Sequence, residues 1–258
     1  MAKFDAHLHL ARLPQPLDVA RELHKRGYKY KAVACEPWEW NAMQELWEKG
    51  SAEGWMEGCG LSFGLHPEIA AQVTEGTLAR GPEELWTELR RLLNAFPEVQ
   101  VGEAGLDKRY DGYEPDGKQE EVFRRQAKMA LELGRDLQIH CVGDYGRVIK
   151  ILKEVGFGDA PDKYCARPVF HRFGGDSGIV KAGLSLSAIF SIHADSYRKK
   201  ATREALALIP TENIAFETDA DETFVLNTGT TPEETADRLF KTLMDTGKSH
   251  SGGPIWGR

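Results

Sequence analysis

Short apolar runs alternate with segments of amphipathic helical period along almost the whole chain, and the alternation repeats eight times. A strand-like run, a helical segment and another strand-like run in succession are typical of parallel strands joined by right-handed crossovers. The strands predicted on this basis are FDAHLHL, YKAVAC, LSFGLHP, VQVGEAGLD, LQIHCV, RPVFHRF, LSLSAIF and IAFETDA.

The repeated unit is compatible with two α/β folds, an open doubly wound sheet and a closed (β/α)₈ TIM barrel. The chain has 258 residues, and about 250 residues is the usual length of the barrel, so the barrel is favoured. No linker rich in Pro, Gly or Ser divides the chain before its last residues. We therefore expect one barrel domain over residues 1–245, followed by a tail over residues 246–258 that is flexible or docked on the surface.

Most of the histidines fall at the carboxyl ends of the predicted strands. Six of the eight histidines lie there: His7, His9, His66, His140, His171 and His193. Five acidic residues share this position: Asp5, Glu103, Asp107, Glu217 and Asp219. In a parallel barrel these strand ends meet on one face, which is the active-site face. Because buried carboxylates without a partner are unfavourable, the pattern predicts a divalent-metal site on that face.

The motif DAHLHL places two histidines on one side of the first strand. Residues two apart in an extended strand project to the same face, so His7 and His9 can share one ion. Asp5 has the same parity but lies one step deeper, and we expect it to be a structural acid rather than a ligand. Imidazole and carboxylate donors of this kind suit Zn²⁺, Mn²⁺, Co²⁺ and similar ions.

The motifs DAHLHL, GLHP, GEAGLD, QIH, HRFGG and ETDA, in this order, resemble those of the TatD family of metal-dependent hydrolases. The resemblance spans most of the chain and implies a barrel with two divalent ions, Mg²⁺, Zn²⁺ or Mn²⁺. The ligands that it implies are His7, His9 and Asp219 for one ion, His140 and His171 for the other, and Glu103 between them. It also implies that His66 lies near the phosphate of the substrate, and that the enzyme is a deoxyribonuclease of the 3′–5′ exonuclease type.

Chemistry supports the same interpretation. Two cations about 3.5–4 Å apart can hold a bridging hydroxide near neutral pH and clamp the attacking and leaving oxygens at phosphorus. Asp219 is the candidate to orient this hydroxide and accept its proton, and Glu103 is the candidate bridge. His66 would stabilise charge on the phosphoryl oxygens or pass a proton to the leaving group. Arg172 is the preferred phosphate contact, because a guanidinium binds phosphate in bidentate fashion, and Asp107 is a second candidate substrate contact.

Other functions stay open at this point. The same hydroxide could attack a carbonyl, which would give an amidohydrolase or a lactonase acting on a small molecule. A barrel that binds phosphorylated molecules without turnover is a further alternative. An organic cofactor is not expected, because no Gly-rich phosphate loop follows the first strand. The motif ETDADE adds Asp221 and Glu222 where the family usually has a neutral turn, and two more negative charges would repel a polyanion.

Composition narrows the partners. A net charge of −7 disfavours sequence-independent wrapping of nucleic acid. The resemblance to the TatD family implies a DNA end or another phosphodiester as the substrate. The chain shows neither a signal peptide nor a long apolar stretch, which indicates a cytoplasmic protein that does not insert into membranes. Its four cysteines have no CxxC spacing, which argues against a thiolate zinc site. Trp38 and Trp40, after the second strand, are candidates for base stacking. The oligomeric state is left open.

Overall fold

The computed structural model describes residues 3–96, 98–158, 166–225 and 231–249. Within these ranges, eight parallel strands form one sheet in the order of the sequence. Their bounds are β1 Lys3–Leu8, β2 Tyr28–Ala34, β3 Gly60–Phe63, β4 Gln100–Asp107, β5 Leu137–Val142, β6 Pro168–Phe170, β7 Ile189–Ile192 and β8 Ile214–Phe216.

Helices between the strands cover the outside of the sheet. Their bounds are α1 Pro16–Lys25, α2 Pro37–Ala52, α3 Ala70–Glu75, α4 Pro82–Ala95, α5 Lys118–Leu133, α6 Tyr145–Val155, α7 Ser177–Leu184, α8 Lys200–Leu206 and α9 Pro232–Lys248. Four of them begin with proline, whose fixed φ suits the first helical position. In α5, the buried residues Val122, Phe123, Ala127 and Ala130 recur at helical spacing and pack on the strands.

The sheet closes into a barrel where β8 meets β1. Asp219 N donates to His7 O at 3.0 Å, and His9 N donates to Ala220 O at 3.0 Å. Leu8 and Ala220 form a parallel bridge at the same place. An open doubly wound sheet would instead leave two unpaired edges. The predicted (β/α)₈ barrel is therefore confirmed, and its seam closes beside three of the predicted metal ligands.

The seventh strand begins later than the sequence predicts. The alternating segment LSLSAIF predicts a strand over residues 184–190, but α7 extends to Leu184 and β7 begins at Ile189. Ser187 has a φ of 58°. Ser187 N donates to Leu184 O at 3.0 Å, and Ala188 N donates to Gly183 O at 3.0 Å. The alternating residues thus form the turn that ends α7, which periodicity alone does not distinguish from a strand.

The carboxyl-terminal part also differs from the expectation. Helix α9 continues to Lys248, so the domain boundary expected at residue 245 falls inside a helix. Residues 250–258 of the expected tail, and Cys165, lie outside the described residues. In the part of the chain that the structure describes, no helix has the length and the apolar character needed to cross a bilayer.

Asp5 fixes the seam between β1 and β8. Its Oδ1 accepts the N–H of Thr218 at 2.9 Å and that of His7 at 3.2 Å. Its Oδ2 accepts the hydroxyls of Tyr28 at 2.8 Å and of Thr218 at 2.5 Å. The side chain is fully buried, and burial raises the pKa of Asp5 to about 7 against the opposing effect of these hydrogen bonds. The partners are backbone and hydroxyl groups, which suits the structural role expected for this acid.

We predict that Asp5→Ala lowers the free energy of unfolding by about 2–4 kcal/mol, because it leaves buried N–H and O–H groups without an acceptor. Asp5→Asn keeps an acceptor and should lose less. Urea unfolding followed by circular dichroism measures both variants. The exposed Asp111→Ala serves as the control and should change the free energy of unfolding by less than about 0.5 kcal/mol. An Asp5→Ala variant as stable as this control would show that Asp5 does not hold the seam.

Candidate metal centre

Four predicted ligands meet at the carboxyl end of the barrel, next to the seam. The atoms concerned are Nε2 of His7, Nε2 of His9, Oε2 of Glu103 and Oδ1 of Asp219, and the measured separations run from 3.3 to 3.8 Å. Four ligands placed tetrahedrally about 2.1 Å from one ion would lie roughly 3.4 Å apart. The donor set and its spacing therefore fit a divalent metal ion. We refer to these four residues as the first cluster.

The other oxygen of Glu103 faces a second group of imidazoles. Glu103 Oε1 lies 2.5 Å from Nδ1 of His140 and 2.6 Å from Nε2 of His171, and these two nitrogens are 3.3 Å apart. Nε2 of His66 lies 3.3 Å from the same atom of His140 and 3.8 Å from Glu103 Oε1. We refer to these four residues as the second cluster. Glu103 thus belongs to both clusters through different oxygens.

Two glycines of the motif GEAGLD bring β4 close to β5. Gly102 and Gly105 have φ values of 125° and 157°. A β-carbon on Gly105 would overlap the carbonyl oxygen of His140, and one on Gly102 would meet that of Gln138. Only glycine permits this close backbone approach, which places Glu103 beside His140.

The acids of the centre stay ionised although they are buried. Burial alone would raise the pKa of Glu103, but the positive charges of His171 and His140 outweigh it and hold this pKa well below its usual range. At Asp219, burial would also raise the pKa, but the positive charge of His171 opposes it, and the pKa of Asp219 is lowered. Burial would lower the pKa of His140 and that of His171, but the charge of Glu103 raises both. The negative charges of Glu103 and Asp219 would favour binding of a divalent cation. This binding would displace the protons of the imidazolium groups.

His66 is oriented by the backbone. It caps the 3₁₀ helix Pro67–Ile69, and its Nδ1 accepts the N–H of Glu68 at 3.2 Å. The proton of the neutral ring therefore lies on Nε2, which faces the second cluster. Burial and, after it, the positive charge of His140 lower the pKa of His66 to about 3. His66 is thus a neutral imidazole whose N–H points into the site.

Asp107 lies behind His140 and not at the open mouth of the barrel. His140 Nε2 donates to Asp107 Oδ2 at 2.8 Å, and Arg109 Nε donates to Asp107 Oδ1 at 2.9 Å. Its own N–H donates to Gln119 Oε1 at 2.8 Å, and its side chain is fully buried. Because both carboxylate oxygens are engaged, the geometry does not support the predicted contact of Asp107 with substrate. Asp107 instead turns Nδ1 of His140 towards Glu103.

Two more buried residues orient the other imidazoles. Nδ1 of His7 donates to Gln138 Oε1 at 3.3 Å, which leaves its Nε2 facing the first cluster. Glu217 Oε1 lies 3.5 Å from Nδ1 of His171. Glu217 is one of the strand-end acids that the sequence identifies, whereas Gln138 is not predicted. The signal that would have identified Gln138 is its position two residues before His140, on the same face of β5.

Arg172 and Asp219 are held in strained backbone conformations beside each other. Their φ values are 44° and 49°, and a left-handed conformation costs a residue other than glycine about 1–3 kcal/mol. Arg172 N donates to Glu217 Oε1. Nη1 of Arg172 donates to Asp219 Oδ2 at 2.8 Å, and its Nη2 donates to Asp195. Asp219 therefore presents Oδ1 to the first cluster and Oδ2 to Arg172, whose side chain is 45% exposed.

The two tryptophans after β2 have different surroundings. Trp38 is 57% exposed, and the Arg12 guanidinium lies 5.7 Å from its ring centroid. Trp40 is fully buried and donates to Gly64 O at 3.2 Å, so it packs in the core and cannot stack on a base. Trp38 remains a candidate for stacking.

Two other residues at strand ends, Cys35 and His193, have surroundings that the sequence does not predict. Cys35 is buried, and its thiol lies with ligand atoms of His9 and Glu103 in a group whose members are all within 4.8 Å of one another. The spacing of the cysteines in the sequence does not reveal this group. Among the described residues, His193 belongs to none of the possible metal-ligand groups. Its Nδ1 accepts the N–H of Asp195 at 3.1 Å. Asp195, the partner of Arg172, is not predicted from the sequence, although it lies three residues after the end of β7.

The chain is similar in sequence to several TatD proteins. The "Uncharacterized metal-dependent hydrolase TatD" of Mycobacterium tuberculosis is 29% identical over 223 residues, which cover 84% of this chain and 78% of that protein. The "3'-5' ssDNA/RNA exonuclease TatD" of Edwardsiella piscicida is 30% identical over 175 residues, 66% of this chain and 60% of that protein. The "3'-5' RNA nuclease TATDN2" of Homo sapiens is 31% identical over 182 residues, which cover 68% of this chain but 21% of that protein.

Solved structures show the same fold. The TatD homologue YJJV of Escherichia coli aligns over 98% of this chain and 99% of its own, with a TM-score of 0.68 and 22% identity. A TatD family hydrolase of Entamoeba histolytica aligns over 95% of this chain and 98% of its own, with a TM-score of 0.69 and 12% identity. At these identities the likeness concerns the fold alone.

The family model described as "TatD related DNase" matches residues 4–237. At the level of the family, this confirms the resemblance seen in the motifs and the expectation of a metal-dependent hydrolase that acts on ester bonds. The matches do not favour the amidohydrolase or lactonase alternative. Because the matched region covers most of the chain, this protein belongs to the TatD-related DNase family.

Proposed function

We propose that this protein is a divalent-metal-dependent exonuclease that removes nucleotides from the 3′ end of single-stranded DNA. The observation that carries the proposal is the placement of Glu103, whose two oxygens face two separate groups of imidazole and carboxylate ligands. The relatives from Edwardsiella piscicida and Homo sapiens are both named as 3′–5′ nucleases, which supports the polarity.

The proposed centre holds two ions. His7, His9 and Asp219 would hold one, His140 and His171 would hold the other, and Glu103 would contact both. When bound, such ions lower the pKa of water and clamp the oxygens of a phosphodiester. The donors are nitrogen and oxygen atoms, which suit Zn²⁺ and Mn²⁺ and, through the carboxylates, Mg²⁺.

The chain's own residues bind and orient the phosphodiester. His66 donates from Nε2 to a phosphoryl oxygen. Arg172, half-exposed beside Asp219, can turn its guanidinium from that carboxylate to the phosphate, where bidentate contact is favourable. This exchange would release Oδ2 of Asp219 to accept a proton from the attacking water. Arg172 thus links binding of the substrate to the availability of the base.

The mouth of the barrel suits one strand end better than a duplex. Arg12, Arg109 and Arg172 are each paired with an acid, so their charges are partly compensated before substrate arrives. Glu222, exposed after β8, adds negative charge near the site. Binding of a long duplex needs many uncompensated cations. Exposed Trp38 can instead stack on a base near the end of a single strand.

We predict that chelated protein is inactive and that Mn²⁺ or Mg²⁺ restores stepwise shortening of 5′-labelled single-stranded DNA from its 3′ end. Glu103→Gln and Asp219→Asn should each lower kcat by about 100-fold or more, because each removes charge from the centre. Gel analysis of 5′-labelled and 3′-labelled DNA and RNA substrates gives the polarity and the preferred sugar.

Asp111→Asn, an exposed acid in the loop after β4, serves as the matched control and should keep wild-type kcat. Circular dichroism and elemental analysis separate loss of fold from loss of metal. Full activity of metal-free protein, or near-normal kcat in Glu103→Gln, would refute the proposal. Cleavage only of amides or lactones would show that the protein is an amidohydrolase or a lactonase.

We also predict that Asp107→Ala weakens binding of Mn²⁺ by about 10–100-fold, because His140 loses the carboxylate that orients it. Asp107→Asn, which keeps an acceptor, should lose less. Metal titration followed by calorimetry or electron paramagnetic resonance measures the affinity, and steady-state kinetics at saturating metal separates kcat from KM. If Asp107 bound substrate directly, KM for DNA would rise while the affinity for Mn²⁺ stayed unchanged.

A further inference from the structure

A large cavity lies at the end of the barrel opposite the metal centre. It has a volume of about 1320 Å³ and is lined by the first residues of several strands, among them Phe4, Gln100 and Ile214. No residue of either metal cluster lines it among those described. Small-molecule sites commonly have about 300–1,000 Å³, so the cavity can admit an organic ligand and its water.

The walls of the cavity combine an apolar part with two cationic side chains. Phe4, Val169 and Phe216 contribute the apolar part. Lys31 enters from β2 and Arg135 from the segment between α5 and β5. Lys31 Nζ lies over Gly60, where a β-carbon would collide with it. The glycine therefore leaves room for the ammonium group inside the barrel.

Within the described part of the chain, no hydrogen bond or ion pair satisfies these two cations. Lys31 is partly buried, and the burial lowers its pKa. Nε of Arg135 is buried and has no hydrogen-bond partner. A buried cationic donor without an acceptor is unfavourable by several kcal/mol unless a partner is supplied.

The acids of the same cavity do not contact either cation within ion-pair distance, although the charges of Asp136 and Glu98 oppose the effect of burial on the pKa of Lys31. Asp136 accepts the N–H of Arg167 at 2.8 Å, the Nη2 of Arg167 at 3.0 Å and the Nε2 of Gln100 at 3.4 Å. Glu98 and Glu212 also line the cavity, but both are exposed and neither is within ion-pair distance of Lys31 or Arg135. Among the described residues, neither donor has an acceptor, so the cavity can take one from a bound molecule.

We propose that this cavity binds a small organic anion. Its carboxylate or phosphate group is held by Lys31 and Arg135, and its apolar body packs against Phe4, Val169 and Phe216. The site is independent of the proposed nuclease activity. It nevertheless lies one side chain from the metal centre, because Gln138 both lines the cavity and accepts the hydrogen bond from His7.

The test uses the full-length, metal-loaded protein and the fluorescent aromatic sulfonate 8-anilinonaphthalene-1-sulfonate as the probe. Wild-type protein should bind one equivalent, and Lys31→Met and Arg135→Gln should each raise Kd by about tenfold or more, since each removes a charge-assisted hydrogen bond. Lys29→Met is the matched control from the same strand, because Lys29 bonds to Glu57 O and does not line the cavity. Its Kd should stay within about twofold of wild type.

Benzoate and phenyl phosphate compete with the probe in two further arms. Displacement by benzoate assigns the site to carboxylates, and displacement by phenyl phosphate assigns it to phosphates. Displacement by neither overturns the proposal, as does equal binding by wild type, Lys31→Met and Arg135→Gln. If those variants do not fold, diffraction from wild-type crystals soaked in 4-iodobenzoate decides. Iodine in the cavity beside Lys31 supports the site, and its absence there overturns it.

Discussion

The structure depends on one ionised carboxylate that is buried, where the charged form of a carboxyl group is least favourable. Glu103 is 2% exposed, and it remains charged only because imidazoles surround both of its oxygens. Removal of such a charge from water is costly, and its attraction to neighbouring cations must compensate. The histidines at the ends of three different strands and in the loop after β3 thereby become one electrostatic unit. These side chains can meet only if all those strand ends lie at the same rim of the barrel. The metal centre and the closed barrel therefore depend on each other.

The surroundings of the centre convert this electrostatic requirement into fixed geometry. Each of the imidazoles of His7 and His140 has one nitrogen turned to the centre and the other donating to a buried partner, Gln138 and Asp107 respectively. Such partners set the tautomer and the ring orientation of a ligand. The seam held by Asp5 lies directly behind these groups. Stability and metal binding therefore share the same region, and changes at the seam will affect both.

Much of the fold and of the candidate site could be predicted from the sequence. The period of the apolar residues indicates the strands and helices, and the position of the polar residues at strand ends indicates the site. Alternation of strand and helix gave the barrel, and the period of two placed His7 and His9 together. Position in the sequence does not show whether a side chain at a strand end faces the mouth of the barrel. The sequence therefore predicts a contact of Asp107 with substrate, whereas the side chain of Asp107 lies behind His140. Gln138 was missed because a neutral amide in an apolar strand carries no signal of its own. Trp40 shows the same ambiguity, since an aromatic residue after a strand can be core or surface.

The most direct test of the central claim is anomalous diffraction from crystals of the wild-type protein grown with Mn²⁺. The account predicts two peaks about 3.5–4 Å apart, each within about 2.3 Å of a different oxygen of Glu103. One peak would be bounded by the imidazoles of β1, and the other by His140 and His171. A single peak, or two peaks neither of which touches Glu103, would contradict it.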